Sequence, residues 1–166
     1  ARILESTHDY PQFLGPNRNG TVTGPRLARD WKQAPPKLLW RRAVGLGWSG
    51  MAVSGELVLT QEQHGEDELI TAYDGQRGTL VWAHAYPAHF QSTIAGEGPR
   101  ATPTVAGRKV YALGSTGWLN CRDLATGEKI WARDILKDNQ ASMSGWGMSS
   151  SPLVLDGKVI VSAGGR

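Results

Sequence analysis

An all-β fold built from repeated four-stranded antiparallel sheets is predicted by three features of the 166-residue sequence. Short apolar runs are separated by turns rich in Gly, Pro, Asp and Ser, which is typical of β-sheet proteins. No window has a helical periodicity long enough to predict a helix, and the nearest, Arg133–Met143, is interpreted as a loop. One segment also recurs after about 50 residues, which is typical of repeat proteins.

The recurring segment has the pattern Asp, three residues, Gly, three residues, Trp. Its two copies are Asp74, Gly78, Trp82 and Asp123, Gly127, Trp131. The Asp carboxylate can accept hydrogen bonds from N–H groups that follow it, and Gly permits a positive φ at the end of the turn. The Trp that follows has a large apolar face, which a single four-stranded sheet cannot bury. We therefore predict that each Trp packs on the neighbouring unit and has a structural role.

Two complete units follow from this repeat. The first has predicted strands near Ser49–Val53, Glu56–Glu62, Leu69–Tyr73 and Thr79–His84, with a polar hairpin tip at Gln63–Glu68. The second has predicted strands near Ala101–Val105, Lys109–Gly114, Trp118–Arg122 and Glu128–Arg133. Four antiparallel strands in about 50 residues, repeated along the chain, predict one β-propeller blade per unit.

The motif resembles the tryptophan-docking motif of quinoprotein-type, PQQ-like β-propellers, Ala-x-Asp-x-x-x-Gly-x-x-x-Trp. Ala72 completes the first copy, whereas Cys121 replaces Ala in the second. This family includes PQQ-dependent alcohol dehydrogenases and non-enzymatic outer-membrane assembly lipoproteins. The Gly-His and Trp-Asp signatures of WD40 repeats are absent here, and the glycine pair of kelch repeats occurs only at Gly164-Gly165, so both alternatives are weaker.

The two ends of the chain predict an unfinished ring. Pro35–Gly45 is predicted to be the outer strand of a blade, with Trp40 in the docking position. The chain then divides into an N-terminal extended or loop segment (1–34), the outer strand (35–47), two blades (48–87 and 88–136) and the first half of a further blade (137–166). The resemblance implies that 35–47 closes a ring that usually has eight blades. We expect about a third of that ring here, about two and a half blades plus the closing strand, and the remainder as a partner in another fragment or chain.

Composition and charge argue against several function classes. The net charge is +3 without a concentrated basic run, so nucleic-acid binding is not predicted. No apolar run is long enough for a transmembrane segment. The lone Cys121 is interpreted as a packed strand thiol, the four histidines lack the spacing of metal ligands, and no common catalytic motif is present.

Ligands of propellers sit over the central channel, at loops that lead into the innermost strands. The predicted channel-facing or cofactor-binding residues are Trp48, Gln61, Glu62, Arg100, Thr102, Trp146, Ser149 and Ser150. A planar tricarboxylate such as PQQ would need a cationic fork and a stacking aromatic ring, which Arg100 and Trp146 could supply. In the alternative interpretation, Arg100 pairs structurally and the tryptophans cap the blade ends.

Two functional hypotheses remain. The favoured one is a non-catalytic PQQ-like propeller, a ligand-binding or protein-interaction scaffold of the bacterial cell envelope. The alternative is a fragment of a PQQ- and calcium-dependent alcohol or sugar dehydrogenase. The resemblance implies a periplasmic or otherwise exported location for either. It also implies, for the dehydrogenases, an adjacent Cys-Cys disulfide and a calcium site built from Glu, Asn and Asp, and neither set is matched in this sequence.

Overall fold

The computed structural model describes residues 9–24 and 26–164. Its first unit is a four-stranded sheet of β1 (Ala52–Ser54), β2 (Leu57–His64), β3 (Asp67–Asp74) and β4 (Leu80–Pro87), paired in chain order. All neighbouring strands are antiparallel. The predicted parts of the N-terminal segment at 1–8 and 25, and the last two residues of the predicted half-blade, lie outside the described residues.

The second unit repeats the first. A short hairpin of β5 (Gln91–Ser92) and β6 (Gly96–Glu97) precedes it, and then β7 (Thr104–Ala106), β8 (Lys109–Leu113), β9 (Trp118–Asp123) and β10 (Lys129–Asp134) form a sheet in the same order. A helix, α1 (Ile135–Asp138), leads towards a hairpin of β11 (Leu153–Leu155) and β12 (Lys158–Ile160). The predicted all-β fold of repeated four-stranded antiparallel sheets is confirmed.

The two sheets share their registers. Asp74 pairs with Leu57 in the first sheet, and Asp123 pairs with Lys109 in the second. A bulge follows at the same place in both, because the register shifts just before Trp82 in β4 and just before Trp131 in β10. The extra residue in each outer strand is therefore part of the repeat and sets the direction of the tryptophan.

The turn between the third and fourth strands is built as its sequence predicts. The Asp74 carboxylate accepts hydrogen bonds from the N–H groups of Gln76 and Arg77 over 2.9 and 2.7 Å. The Asp123 carboxylate is bound in the same way by the N–H groups of the residues two and three positions on. Gly78 and Gly127 end the two turns with φ of 67° and 73°, a region that residues with a Cβ atom rarely adopt.

Apolar layers lie between successive units. Leu59, Ile70 and Trp82 of the first unit form one buried cluster with Val110 and Leu124 of the second unit. A second cluster contains buried residues of the second unit, with side chains of the third unit packed against it. Each sheet therefore covers its apolar face with the next unit, as in stacked repeat proteins.

We call the contact between the first and second units the second seam. Trp82 is buried there, with 8% of its surface exposed, and its Nε1–H donates to the carbonyl oxygen of Leu124 over 3.0 Å. The indole ring covers Gly127 so closely that an added Cβ would lie 2.6 Å from the ring atom Cδ2. Only glycine leaves room for the ring at this turn.

The first seam joins the segment before β1 to the first unit. Trp40 Nε1–H donates to the carbonyl oxygen of Gly75 over 2.9 Å, and the ring covers Gly78, where an added Cβ would lie 2.6 Å from Cδ2. Gly75 and Leu124 each follow the Asp of their own turn, so the two indole contacts are equivalent.

Several local expectations differ from the structure. The outer strand predicted at Pro35–Gly45 has no partner strand among the described residues, so it stays a prediction. Leu46, which follows it, makes a bridge with Gln63. The polar hairpin tip is shorter than Gln63–Glu68, because backbone pairing extends to His64 and Asp67. A short helical turn replaces the predicted loop, because the Asp134 carboxylate caps its N-terminus. None of the helices among the described residues has the length and apolar character needed to cross a membrane.

Candidate functional site

The loops that lead into the first strand of each unit lie at one end of the sheets. The N–H and carbonyl groups of Leu46 pair with those of Gln63, at the end of β2, over 3.0 and 2.7 Å. The Trp48 N–H donates to the carbonyl oxygen of Pro99, which precedes the second unit. These contacts place the predicted channel-side residues at the end opposite the Asp-to-Gly turns.

Glu62 lies at the centre of a buried hydrogen-bond cluster. One carboxylate oxygen accepts bonds from the hydroxyls of Thr71 and Tyr73, and the other accepts from the Gly45 N–H and lies 2.9 Å from His64 Nε2. Burial alone raises the pKa of Glu62, but the hydrogen bonds from these four groups outweigh it and hold the pKa below its usual value. Glu62 is therefore a buried carboxylate whose bonds are used inside the fold.

Gln61 and Thr102 connect neighbouring units. The Gln61 side-chain amide donates to the carbonyl oxygens of Ala101 and Leu113 over 2.7 and 3.2 Å. Thr102 is buried, and its N–H donates to the Ser151 hydroxyl over 2.9 Å. Both residues therefore form contacts between units at the end where a channel ligand was predicted.

Arg100 is used by the backbone of the β5–β6 hairpin and its flanks. Its guanidinium donates to the carbonyl oxygens of Ala95, Gly96 and Gly98, and it lies 4.6 Å from the centre of the Phe90 ring. This arrangement is in line with the interpretation that Arg100 pairs structurally, because the carbonyl oxygens of the loop accept hydrogen bonds from its planar guanidinium.

The remaining predicted residues are exposed or lie in a separate pocket. Trp48 and Trp146 expose 70% and 59% of their surfaces. Trp48 lies beside Gly96, within reach of the loop that holds Arg100. Ser149 and Ser150 line a pocket of about 160 Å³ that does not include Arg100 or the two tryptophans. The structure thus places the predicted residues in separate clusters rather than around one cavity.

The residues of this chain do not fit PQQ as a complete site. The cationic fork predicted for its carboxylates, Arg100, already donates to three carbonyl oxygens. Among residues 9–24 and 26–164, no three side chains of His, Cys, Asp or Glu are grouped as metal ligands would be. We derive no chemical step through either group.

The N-terminal segment covers the first strands of all three units. Tyr10 pairs with Val53 of β1 through two backbone hydrogen bonds of 2.9 and 2.8 Å. The Pro11 carbonyl oxygen accepts from the N–H of Val105 in β7. Arg18 then donates to the carbonyl oxygen of Pro152, just before β11. The N-terminal segment is therefore bonded to β1 and β7 through its backbone and to the residue before β11 through Arg18.

A polar cluster in the second seam was missed by the sequence analysis. Glu68 is fully buried in β3, and its carboxylate accepts bonds from the Tyr86 hydroxyl and from the N–H and hydroxyl of Ser115 in the next unit. Burial raises the pKa of Glu68, and these hydrogen bonds offset only part of that rise. The sequence gives a single hint, which is that Glu68 shares a strand face with the apolar Ile70 and Ala72.

His84, in β4, belongs to the same seam. Its Nε2 faces the guanidinium of Arg122. Burial, together with the charges of Arg122 and Lys129, lowers the pKa of His84 to about 4. The imidazole is therefore neutral at pH 7, and Nε2 can accept a hydrogen bond from Arg122.

Known proteins with similar sequences or structures have the same architecture of repeated four-stranded sheets. The family model described as outer membrane protein assembly factor BamB matches residues 17–166. No curated protein sequence matches this chain significantly. Quinohemoprotein alcohol dehydrogenase from Comamonas testosteroni is similar in structure, with a TM-score of 0.64 and 18% identity over 93% of this chain and 23% of that chain.

Two further solved structures are similar. Quinohemoprotein alcohol dehydrogenase ADHIIG from Pseudomonas putida HK5 gives a TM-score of 0.51 at 20% identity, over 73% of this chain and 17% of that one. BamB from Moraxella catarrhalis gives 0.45 at 23% identity, over 64% of this chain and 27% of that one.

The chain spans between 17% and 27% of the length of these solved proteins. At such identities the structural likeness establishes the fold, which many functions share. The match of the family model to residues 17–166 and the repeated four-stranded sheets lead to one conclusion. The chain belongs to the PQQ-like β-propeller family, whose matching model is that of the outer membrane protein assembly factor BamB.

Proposed function

We propose that this chain is part of a non-catalytic PQQ-like propeller that serves as a protein-interaction scaffold in the bacterial cell envelope. The observation that carries the proposal is that the side chains predicted to bind a cofactor are hydrogen-bonded within the fold. Arg100 and Glu62 spend their hydrogen bonds on the backbone or on neighbouring side chains of the fold. The Gln61 amide N–H groups are used in the same way, while its Oε1 has no partner among the described residues. A quinone would have to displace those contacts before it gained any of its own.

The proposed location rests on the family description. The matching family model is described as an outer membrane protein assembly factor, which supports an exported protein at the periplasmic side of the envelope. Fractionation of bacteria that express the full-length protein is expected to recover it with periplasmic or membrane-associated proteins. Recovery in the cytoplasmic fraction would contradict the location without affecting the fold.

We propose that the repeated tryptophans dock each blade on the next. Trp40 and Trp82 make equivalent contacts with the turns of the units that follow them. Trp131 is the third of these tryptophans and lines a groove of about 570 Å³ with Ile135 and Val159. This groove lies where the turn of a completed third blade would cover Trp131, so we assign it to the remainder of the propeller.

The proposed partner surface is the end of the sheets that carries Trp48 and Trp146. Both precede the first strand of a unit, and both are mostly exposed. Exposed tryptophans are rare on surfaces without partners, and they are enriched at the centres of protein interfaces. A partner that covers this end would bury both indoles.

Site-specific photo-cross-linking in cells tests the partner surface. A photoreactive residue at position 48 or 146 of the full-length protein is expected to give discrete cross-linked products. The matched control is position 77, which is exposed in the turn at the opposite end of the first sheet. Equal products from position 77, or none from 48 and 146, would contradict this surface.

The alternative is a fragment of a PQQ- and calcium-dependent dehydrogenase, supported by the similar fold of the quinohemoprotein alcohol dehydrogenases. The full-length protein should be mixed with PQQ and Ca²⁺, with a known quinoprotein dehydrogenase treated in parallel. For a scaffold we expect no retained quinone absorbance, no rise in Tm and no alcohol-dependent dye reduction. Retained quinone with dye reduction would reverse the proposal in favour of the dehydrogenase.

A further inference from the structure

A pocket of about 400 Å³ opens beside the second seam, between β4 of the first unit and β9 and β10 of the second. We call it the seam pocket. Its lining residues are His84, Ala85, Tyr86, Pro87, Trp118, Asn120, Arg122, Lys129 and Ala132. Its volume lies in the range of pockets that bind small molecules.

The seam pocket contains a buried cation without an acidic partner. Only 3% of the surface of Arg122 is exposed, and among the described residues its Nε has no hydrogen-bond partner. The Arg122 Nη2 faces two neutral acceptors, His84 Nε2 and Asn120 Oδ1. A buried guanidinium is costly unless an anion balances it, so the pocket favours a negatively charged occupant.

The neighbouring polar groups support the same sign of charge. Asn120 is 2% exposed, and its Nδ2, a donor, is also without a partner in the described part of the chain. Lys129 adds a second cation to the lining. The nearby carboxylate of Glu68 is already bound by Tyr86 and Ser115. The pocket therefore offers donors and positive charge but no acid of its own.

The other walls of the seam pocket are aromatic or apolar. Tyr86 and Trp118 contribute ring surface, and His84 stacks on Tyr86 with ring centres 6.1 Å apart. Rings of this kind pack well against a flat apolar group. A guanidinium with an adjacent amide donor matches a carboxylate, whose two oxygens can each accept a hydrogen bond.

We propose that the seam pocket is a binding site for a small organic carboxylate. Its carboxylate binds Arg122 and the amide of Asn120, and its apolar part lies against Trp118 and Tyr86. This site lies between β4 of the first unit and β9 and β10 of the second, and its lining includes neither Trp48 nor Trp146. It is therefore independent of the proposed partner surface.

Benzoate is a suitable probe, because it combines a carboxylate with a flat apolar ring. Isothermal titration calorimetry with the full-length protein is expected to show saturable binding that weakens as salt is added. Benzamide, which has the same shape without the charge, and inorganic phosphate, which has charge without the ring, are expected to bind at least tenfold more weakly. Absence of benzoate binding, or equal binding of phosphate or benzamide, would overturn the proposal.

Two substitutions locate the site. Arg122→Gln is expected to weaken benzoate binding about 10- to 100-fold, the usual range for loss of a charged hydrogen-bonding partner. Asn120→Asp supplies an internal carboxylate next to Arg122, so we expect it to abolish benzoate binding while raising Tm. The second variant keeps the test valid if Arg122→Gln fails to fold.

The matched control is Arg108→Gln, which removes an exposed arginine of the same unit outside the seam pocket. It is expected to leave benzoate binding unchanged, within about twofold. Undiminished binding by Asn120→Asp, or an equal loss with Arg108→Gln, would place the carboxylate elsewhere on the protein and refute the site.

Discussion

The two seams of this protein share one contact and differ in nearly everything beside it. In each, an indole N–H donates to the carbonyl oxygen after the turn Asp, and the ring covers the turn Gly. Trp82 makes this contact from the outer strand β4 and is buried. Trp40 makes it from a segment without strand structure and is only half-buried. The indole contact therefore does not depend on the strand that carries it.

The cation next to the indole comes from opposite sides of the two seams. In the first seam the cation belongs to the incoming segment: Arg42 lies 4.8 Å from the centre of the Tyr73 ring. In the second seam the cation belongs to the receiving sheet, because Arg122 takes the position of Tyr73 and faces His84. Arg42 and His84 each lie two residues after the tryptophan of their segment, and each contacts the same position of the next sheet. The pair is a cation on an aromatic ring in the first seam, and an aromatic ring against a cation in the second.

The buried carboxylates differ in the same way. Glu62 comes from the receiving sheet and binds the Tyr73 hydroxyl. The shared registers place Gly114 at the equivalent position of the second unit. A Cβ at Gly114 would lie 2.3 Å from both a Glu68 carboxylate oxygen and the Tyr86 hydroxyl oxygen, so the neighbouring unit fills that space. The two seams therefore differ in which unit supplies the buried acid.

The largest difference is expected for truncation of the two indoles. Trp82→Ala should lower the free energy of unfolding by about 3–5 kcal/mol, because it empties a buried site between two sheets. Trp40→Ala should cost clearly less, since Trp40 is half-buried and outside any strand. Urea unfolding of the full-length protein measures both. Equal losses would show that the strand context of the indole has no energetic weight, and a fully stable Trp82→Ala would refute docking.

The second prediction concerns the glycine under each ring. Gly127→Ala should cost about 1–2 kcal/mol for the positive φ, plus about 1–3 kcal/mol for the overlap with Trp82. The matched control is Gly157→Ala, whose φ of 72° is nearly the same and whose added Cβ would have no atom within 4 Å. It should show the backbone cost alone. Unfolding free energies that fall equally in both variants would mean that the ring yields at no cost.

The sequence could predict the part of the seam that repeats. Asp74, Gly78 and Trp82 recur with fixed spacing, and each acts through its own turn or a contact that every unit needs. The outer strand Pro35–Gly45 stays a prediction, because a strand forms only beside a partner strand and its own pattern does not supply one. The role of Arg100 could not be predicted from the sequence either, because a guanidinium can bind the carboxylates of a ligand or the carbonyl oxygens of a loop equally well.

The seam cluster shows why the candidate sites were the harder part. Glu68 follows Glu66 and Asp67 in the predicted polar hairpin tip, and Arg122 alternates with Leu119 and Cys121 along β9. Both therefore have the sequence context of solvated side chains. Their burial is decided by the neighbouring unit, which lies about 50 residues away in sequence. Only the packing of the two sheets reveals that one is a bound acid and the other an unbalanced cation.

The third prediction uses the opposite pKa shifts of the two carboxylates. The pKa of Glu62 is lowered from 4.5, so its contribution is present above pH 4.5 and is lost as the pH falls through its folded-state pKa. The pKa of Glu68 is raised from 4.5, so the folded state holds the proton longer and stability falls as the pH rises above 4.5. The two seams should therefore respond to acid in opposite directions.

Glu62→Gln and Glu68→Gln test this contrast. The cost of Glu62→Gln should grow as the pH rises and reach about 1–3 kcal/mol at neutral pH, the usual cost of losing a charged hydrogen-bond partner. The cost of Glu68→Gln should shrink as the pH rises from 4.5. Urea unfolding at a series of pH values measures both slopes, and slopes of the same sign would contradict the assignment of the two environments.

The smallest effect is expected for the cation of the first seam. Arg42 is exposed, and its contacts are the face of Tyr73 and a 3.3 Å hydrogen bond to the Gly78 carbonyl oxygen. Arg42→Ala should therefore lower the free energy of unfolding by about 0.5–1 kcal/mol, as for other exposed cation–π pairs. Arg41→Ala, the adjacent exposed arginine, is the matched control and should change it by less than about 0.5 kcal/mol. Tyr73 also binds Glu62, so Arg42 is linked to the buried acid through one side chain. A loss well above 1 kcal/mol for Arg42→Ala would mean that the exposed cation holds this acid in place. The first seam would then be one coupled network instead of a docking contact with a separate polar cluster.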